Sequence, residues 1–208
     1  VSAETKDRVE KVLRSRGLDR KEGNKVFGIN PGSVWPTKRW SVAGYADLIV
    51  QLKKRYSCDI VLFGGPEDRE IAGNIQALSG DAALDLVGCT TLEELPSALD
   101  FCDVLITNDS APMHVAVGRG IPVVALFCAT TPALGFYPFS SRAVVVQKEL
   151  PCRPCTSHGG RRCPLGTEAC IRSIGTNAVL MAVERVLNGT DAKTSIHDDP
   201  FTPHFVTL

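Results

Sequence analysis

Three groups of residues in this 208-residue chain have the types and spacing to do chemistry. The first is Thr107-Asn108-Asp109-Ser110-Ala111-Pro112-Met113-His114. Three good N-cap residues stand there between an apolar run, Val104-Leu105-Ile106, and a short helical pattern through Val115-Ala116-Val117 that Gly118 and Gly120 close. A helix that starts directly after a buried strand leaves backbone N–H groups and the positive end of its dipole facing outward, where an anion binds. The plain alternative is a cluster that only caps its own helix. The second group is Asn30-Pro31-Gly32-Ser33, a turn rich in residues that expose backbone N–H groups, with Lys38-Arg39-Trp40 behind it. The third is the quartet Cys152, Cys155, Cys163 and Cys170, punctuated by Pro151, Pro154 and Pro164.

The quartet's spacing suits tetrahedral thiolate ligation, and Arg153, Arg161, Arg162 and Arg172 offset the charge of four thiolates. A structural zinc staple for a loop beside the active edge is the first choice and an iron–sulfur cluster the second. Reduced free thiols in an ordered loop are the alternative. Cys58, Cys89, Cys102 and Cys128 lie in or beside apolar segments and read as small core residues.

These groups need elements to position them. Residues Glu4 to Arg16 read as an amphipathic lead-in helix ending at Gly17. Val26 to Ile29, Ile60 to Phe63, Ala83 to Val87, Val104 to Thr107, Ile121 to Phe127 and Ala143 to Val146 read as strands. Helical patterns fall between or after them at Val42 to Tyr56, Glu67 to Leu78, a segment ending at Leu99, and Asn177 to Leu187. Thr90 or Thr91 caps the segment to Leu99, with Glu93 or Glu94 at the capping-box position. Strands that are apolar throughout, alternating with amphipathic helices, predict an α/β fold: a doubly wound, Rossmann-like parallel sheet covered on both faces. Ligands of such domains bind beyond the carboxyl ends of the strands, at the switch in strand order. The turns at 30–33, 64–67, 108–111 and 128–131 should therefore line one edge.

Lys+Arg and Asp+Glu balance at 23 each, so no global field recruits nucleic acid. No apolar run approaches the ~18 residues of a spanning helix, and the start is charged, unlike a signal peptide. A cytoplasmic protein is expected. Neither a G-x-G-x-x-G dinucleotide fingerprint nor a P-loop follows the first strand, which weighs against ordinary dehydrogenase and ATPase readings.

Taken in order, Asn30 to Ser33, Lys38-Arg39-Trp40, Leu62 to Glu67, Asn108 to His114 and Leu126-Phe127 with Thr130 resemble the family 9 glycosyltransferases, the ADP-heptose:lipopolysaccharide heptosyltransferases and relatives. The resemblance covers about residues 26–174 and implies the C-terminal, donor-binding half of a GT-B fold. It implies an inverting glycosyltransferase that adds heptose from ADP-heptose to the lipopolysaccharide inner core. Transfer would need no cofactor, and the protein would be cytoplasmic, with peripheral attachment at the inner face of the bacterial inner membrane allowed. The domain expectation is a lead-in segment at 1–25, a nucleotide-sugar domain at 26–188 with a cysteine-rich insertion at 151–172, and a mobile tail at 189–208.

By the same resemblance Ser33 and Lys38 match positions that contact the donor diphosphate. Asp109, Ser110 and Ala111 match the donor-binding turn, with Asp109 better suited to sugar hydroxyls than to phosphate. His114 sits one turn into the helix on the same cleft. Glu67 matches a position near the nucleoside, where a carboxylate accepts ribose hydroxyls, and Thr91 and Leu92 lie in the segment that borders the adenine.

The chain departs from the family at Ala111, where relatives usually carry glycine, and at Cys128-Ala129, where they carry Gly-Pro. A methyl at 111 restricts the approach of phosphate to the backbone. The family's general base is an aspartate of the N-terminal domain, so no catalytic residue is expected here, and this chain alone should bind donor poorly and transfer nothing. The lipopolysaccharide acceptor would reach it through that missing domain. Two alternatives stay open: a non-catalytic nucleotide-sugar binding module, and a GT-B-like sugar-nucleotide epimerase domain.

Overall fold

Strands such as Val104–Asn108 and Val123–Phe127 are buried at every position, so the sheet they form must be covered on both faces. In the computed structural model, which describes residues 1–18, 21–189 and 201–208, the strands are β1 (Lys25–Asn30), β2 (Cys58–Leu62), β3 (Leu84–Asp85), β4 (Val104–Asn108), β5 (Val123–Phe127), β6 (Ala143–Gln147) and β7 (His204–Thr207). All pair in parallel, in the order β3-β2-β1-β4-β5-β6-β7. The helices are α1 (Ala3–Ser15), α2 (Val42–Arg55), α3 (Arg69–Ser79), α4 (Leu95–Leu99), α5 (Ala111–Gly118), α6 (Ala169–Arg172) and α7 (Thr176–Leu187).

Alternate residues of each strand feed two separate cores. On one face Phe27, Ile29, Ile60, Ile106 and Val124 pack with Leu48, Ile49 and Leu52 of α2, Ile75 of α3 and Val179 and Val183 of α7. On the other face Val26, Val61, Leu105, Ala125 and Val145 pack with Val9 and Leu13 of α1, Leu99 of α4 and Met113 and Ala116 of α5. The doubly wound α/β expectation holds. The strand order reverses between β1 and β4, and the crevice at their carboxyl ends is where such a sheet takes ligands.

Four local expectations change. The segment from Glu67 begins as a 3-10 turn over Pro66–Asp68 and becomes α-helical at Arg69. The strand expected over residues 83–87 shrinks to Leu84–Asp85, because Gly88 and Cys89 turn the chain back, donating to the carbonyls of Gly64 and Leu86. The helix to Leu99 starts only at Leu95. Before it, Glu94 completes one arm of the expected box, accepting from the Thr91 amide at 2.9 Å. The tail expected to be mobile is partly a strand: His204–Thr207 alternates around β-branched and aromatic residues and adds to β6 as the sheet edge. The rest of that tail, 190–200, lies outside the described residues.

Candidate functional site

The crevice is stitched by Asn108, the last residue of β4 and fully buried. Its Oδ1 accepts from the Trp40 backbone N–H and from the Tyr45 hydroxyl, both at 2.9 Å. Its Nδ2 donates to the carbonyls of Pro31 at 2.8 Å and Gly32 at 3.3 Å. An amide side chain has two acceptor and two donor valences, so Asn108 is saturated by protein. Burial pushes the Tyr45 phenol well above its ordinary pKa, the neighbouring Cys128 adds to this and the bond to Asn108 opposes it, so the hydroxyl keeps its proton and stays a donor. The turn after β1 is thereby tied to the end of β4.

The next residue is the opposite case. Asp109 is buried, and its Oδ2 accepts from Lys38 Nζ at 2.7 Å and from Thr130 Oγ1 at 2.6 Å. Lys38 ends a 3-10 turn, Pro36–Lys38, and its side chain is only 14% exposed. Three strand ends thus converge: β1 sends Lys38, β4 sends Asp109 and β5 sends Thr130. Ser110 is the N-cap of α5, yet its side chain does not cap the helix. Its Oγ donates to the Asn108 carbonyl at 3.3 Å and lies 3.3 Å from Thr107 Oγ1. Among the described residues no side chain therefore takes the role an arriving anion would fill at this helix start.

Lys38, Asp109, Ser110, Ala111 and His114 all line one cavity of about 320 Å³. These are five of the residues expected from sequence, and Thr131 joins them from the β5 turn. Ser33 is close by without lining that cavity: its carbonyl accepts from Arg39 Nε at 2.8 Å and its hydroxyl receives the Trp35 amide at 3.4 Å. Glu67, Thr91 and Leu92 do not line it either. Glu67 is exposed beyond β2 and curls over Gly65, while Thr91 and Leu92 are exposed before α4, Leu92 at 73%. Asp68, one residue from Glu67, is the carboxylate that turns inward. It is buried, accepts from the Gly65 amide at 3.1 Å and lies so close to Gly32 that a side-chain carbon there would come within 2.3 Å of it. Burial raises its pKa against the opposing Gly65 bond.

Sequence reasoning missed Trp35, Leu134, Phe136, Ser157 and His158, which complete the cavity wall. Two belong to the cysteine segment, and no local signal marks them. Only the fold of that segment against the turn bearing Lys38 brings them in.

The cysteine segment itself departs from a metal staple. All four thiols are free, and no group of three or more potential ligands among the described residues stands close enough to hold an ion. Arg153 lies beside three of the four, Cys152, Cys155 and Cys170. Its guanidinium donates to the carbonyls of Phe127, Thr130 and Lys148 and carries the positive charge that the thiols of Cys152, Cys155 and Cys170 feel. Burial raises the pKa of Cys155 and Cys170. Cys163 is the exception: backbone N–H groups, with that of Glu168 foremost, lower its pKa. The zinc staple and the iron–sulfur cluster expected at Cys152, Cys155, Cys163 and Cys170 find no group of three ligands placed to hold an ion among the described residues, although the Cys170 thiol lies within electrostatic reach of the other three.

The family model for glycosyltransferase family 9 (heptosyltransferase) matches residues 3–164. The chain belongs to this family. Lipooligosaccharide heptosyltransferase 2 of Campylobacter jejuni serotype O:6 is 29% identical over 171 residues, which make up 80% of this chain and 52% of that protein. Among solved structures, ADP-heptose lps heptosyltransferase II of E. coli superposes with a TM-score of 0.71 at 27% identity, over 92% of this chain and 54% of its own. A family 9 glycosyl transferase from Veillonella parvula superposes with a TM-score of 0.74 at 26% identity, over 90% and 52%. The family 9 domain described here thus spans about half the length of the relatives it matches. No helix among its described residues is long and apolar enough to cross a membrane.

Proposed function

We propose that this domain is the donor-binding half of an inverting glycosyltransferase that takes heptose from ADP-heptose and adds it to the lipopolysaccharide inner core. The observation that carries the reading is the meeting of Lys38, Asp109 and the uncapped start of α5 on one cavity at the sheet's switch point. An ammonium and a helix N-terminus are what a departing diphosphate needs, because its charge grows as the glycosidic bond breaks. In the reaction the acceptor hydroxyl loses its proton to a base on the other half of the enzyme and bonds to the anomeric carbon. ADP leaves from the opposite face with the bonding electrons.

Asp109 has two uses on this reading. Before the donor arrives it holds Lys38 in place, and once the diphosphate takes the ammonium, its carboxylate is free to accept a sugar hydroxyl. His114 faces the same cavity and suits a sugar or phosphate oxygen. Transfer on this reading requires no cofactor. A nucleotide-sugar donor made inside the cell places the work at the cytoplasmic face of the inner membrane.

Titration calorimetry of the chain with ADP, UDP and GDP tests the reading. ADP is expected to bind most tightly, and Lys38→Ala should weaken it by about 1 to 3 kcal/mol, the range for a lost hydrogen bond to a charged group. Equal affinity for all three nucleotides, or unchanged affinity in the variant, refutes the assignment.

A further inference from the structure

The cysteine segment packs against the turn bearing Lys38 through Gly159 and Gly160. Gly159 has φ +89°, a left-handed conformation natural to glycine. Its α-carbon lies against the stem of Lys38: a side-chain carbon there would come within 2.8 Å of Lys38 Cγ, 3.0 Å of Lys38 Cδ and 3.0 Å of Trp35 Cβ. One residue on, Gly160 grips Thr37, the neighbour of Lys38. The Thr37 amide and Oγ1 donate to the Gly160 carbonyl at 3.2 and 3.0 Å, and the Gly160 amide donates back to Thr37 Oγ1 at 2.7 Å. Thr156 Oγ1 donates to the Gly159 carbonyl at 2.7 Å and fixes the turn from within. Ser157 and His158, at the same turn, line the cavity with Lys38.

We propose that the turn Thr156–Gly160 is a positioning element for Lys38, and that the cysteine segment belongs to the donor site rather than being an appendage to it. The inference rests on the reading that Lys38 meets the donor diphosphate. A lysine side chain has four rotatable bonds, and holding its ammonium at one point costs conformational entropy that a bare surface lysine would lose only on binding. Here the Gly159 backbone covers the stem and the Gly160–Thr37 bonds fix the turn below it. Asp109 then receives the ammonium from one direction. A ligand phosphate meets a cation already placed.

A double-mutant cycle separates this role from a general effect on folding. ADP affinity is measured by titration for the unaltered chain, Gly159→Ala, Lys38→Ala and the double variant, with melting temperature recorded for each. Gly159→Ala should weaken ADP by about tenfold when Lys38 is present and by less than about twofold when it is not, since the loss acts through Lys38. Thr37→Val, which removes the hydroxyl that bridges to Gly160 without disturbing the glycine, should show the same dependence and stands in if Gly159→Ala does not fold. Equal losses in both backgrounds overturn the positioning role, as does unchanged affinity in Gly159→Ala and Thr37→Val while Lys38→Ala itself binds poorly. If Lys38→Ala leaves ADP affinity intact, or the unaltered chain does not bind ADP, the donor reading fails and this inference with it.

Discussion

The turns after β1 and β4 bring polar side chains together over one cavity, whereas those after β2 and β3 leave Glu67, Thr91 and Leu92 on the surface and turn only Asp68 inward, against Gly32. All four leave the same edge of the sheet. The first pair flanks the reversal in strand order, where adjacent turns part to opposite faces and leave a crevice between them. The second pair leaves neighbouring strands on one side of that reversal, where chains can pack over each other and close the gap. Lys38 and Asp109 meet at 2.7 Å across the crevice. Glu67 and Leu92 face outward. Position at the carboxyl end of a strand is therefore necessary for a site in this fold, and position beside the switch point decides it.

Asn108 is the residue that keeps the first pair of turns together, so its loss should have the largest effect. Asn108→Ala leaves the Trp40 N–H, the Tyr45 hydroxyl and the Pro31 carbonyl without partners in the core. At about 1 to 3 kcal/mol for each orphaned group, less what entering water restores, the expected loss is about 3 to 5 kcal/mol. Thermal unfolding should fall by roughly 10 °C in a domain of this size. A fall of under about 3 °C would mean that the two turns are held by something other than this amide.

Thr130→Val comes next, because it touches the open member of the pair rather than the closed one. The valine keeps the shape and removes the 2.6 Å hydrogen bond to Asp109. A buried bond to a charged group contributes about 1.5 to 3 kcal/mol, so denaturant unfolding should register a loss in that range. Lys38 then becomes the partner that this Asp109 oxygen keeps. Stability equal to that of the unaltered chain would show that the ion pair alone fixes Asp109.

The sheet was legible in the sequence because buried parallel strands are apolar throughout, and such runs stand out against amphipathic helices. The site was legible only where residue type and chain position spoke together. A glycine turn and an N-cap cluster, each behind a strand, marked the two stretches, the family resemblance singled out Lys38, Asp109 and Ser110 within them, and the structure brings all three together. Glu67, Thr91 and Leu92 came through family resemblance and lie outside the cavity: at the 3-10 turn Asp68, not Glu67, turns inward, and Thr91 and Leu92 are exposed in the turn before α4. Ser157 and His158 were invisible because their place depends on a loop folding back across 123 residues of chain, from Gly160 onto Thr37. Spacing alone likewise could not tell that Arg153 would lie beside Cys152, Cys155 and Cys170. The strand at His204–Thr207 was hidden by the prolines before it, although its own alternation is that of a sheet edge.

The comparison also extends to the two kinds of cysteine environment beside the site. Cys163 lies among backbone N–H groups that favour its thiolate, while Cys128, Cys155 and Cys170 are held in their protonated forms by burial. Since the thiolate is the nucleophile, iodoacetamide at neutral pH should label Cys163 first and Cys128 last, read by peptide mass. As pH rises above the ordinary thiol range, Cys155 should catch up with Cys163. Purified chain should also hold less than about one tenth of an equivalent of zinc or iron, because no group of three ligands placed to hold an ion is found among the described residues. Stoichiometric metal that survives dialysis, together with protection of all four thiols from labelling, would mean that the quartet closes around an ion.

The smallest effect belongs to the second pair of turns, and its smallness is the point. Glu67→Gln and Leu92→Ala alter side chains that are exposed and make no contact with the cavity. If the site is confined to the switch point, each should change ADP affinity by less than about 0.5 kcal/mol and leave the melting temperature within a degree or two, as surface substitutions do. If instead the nucleoside of the donor reaches along the edge toward β2, Glu67→Gln removes a carboxylate that would accept from ribose hydroxyls, and ADP should weaken while inorganic pyrophosphate does not. Running both ligands against both variants separates a compact diphosphate site from one that extends across the β1–β2 boundary. It does so because the two ligands share the groups that Lys38 and α5 hold and differ only in the part that Glu67 could touch.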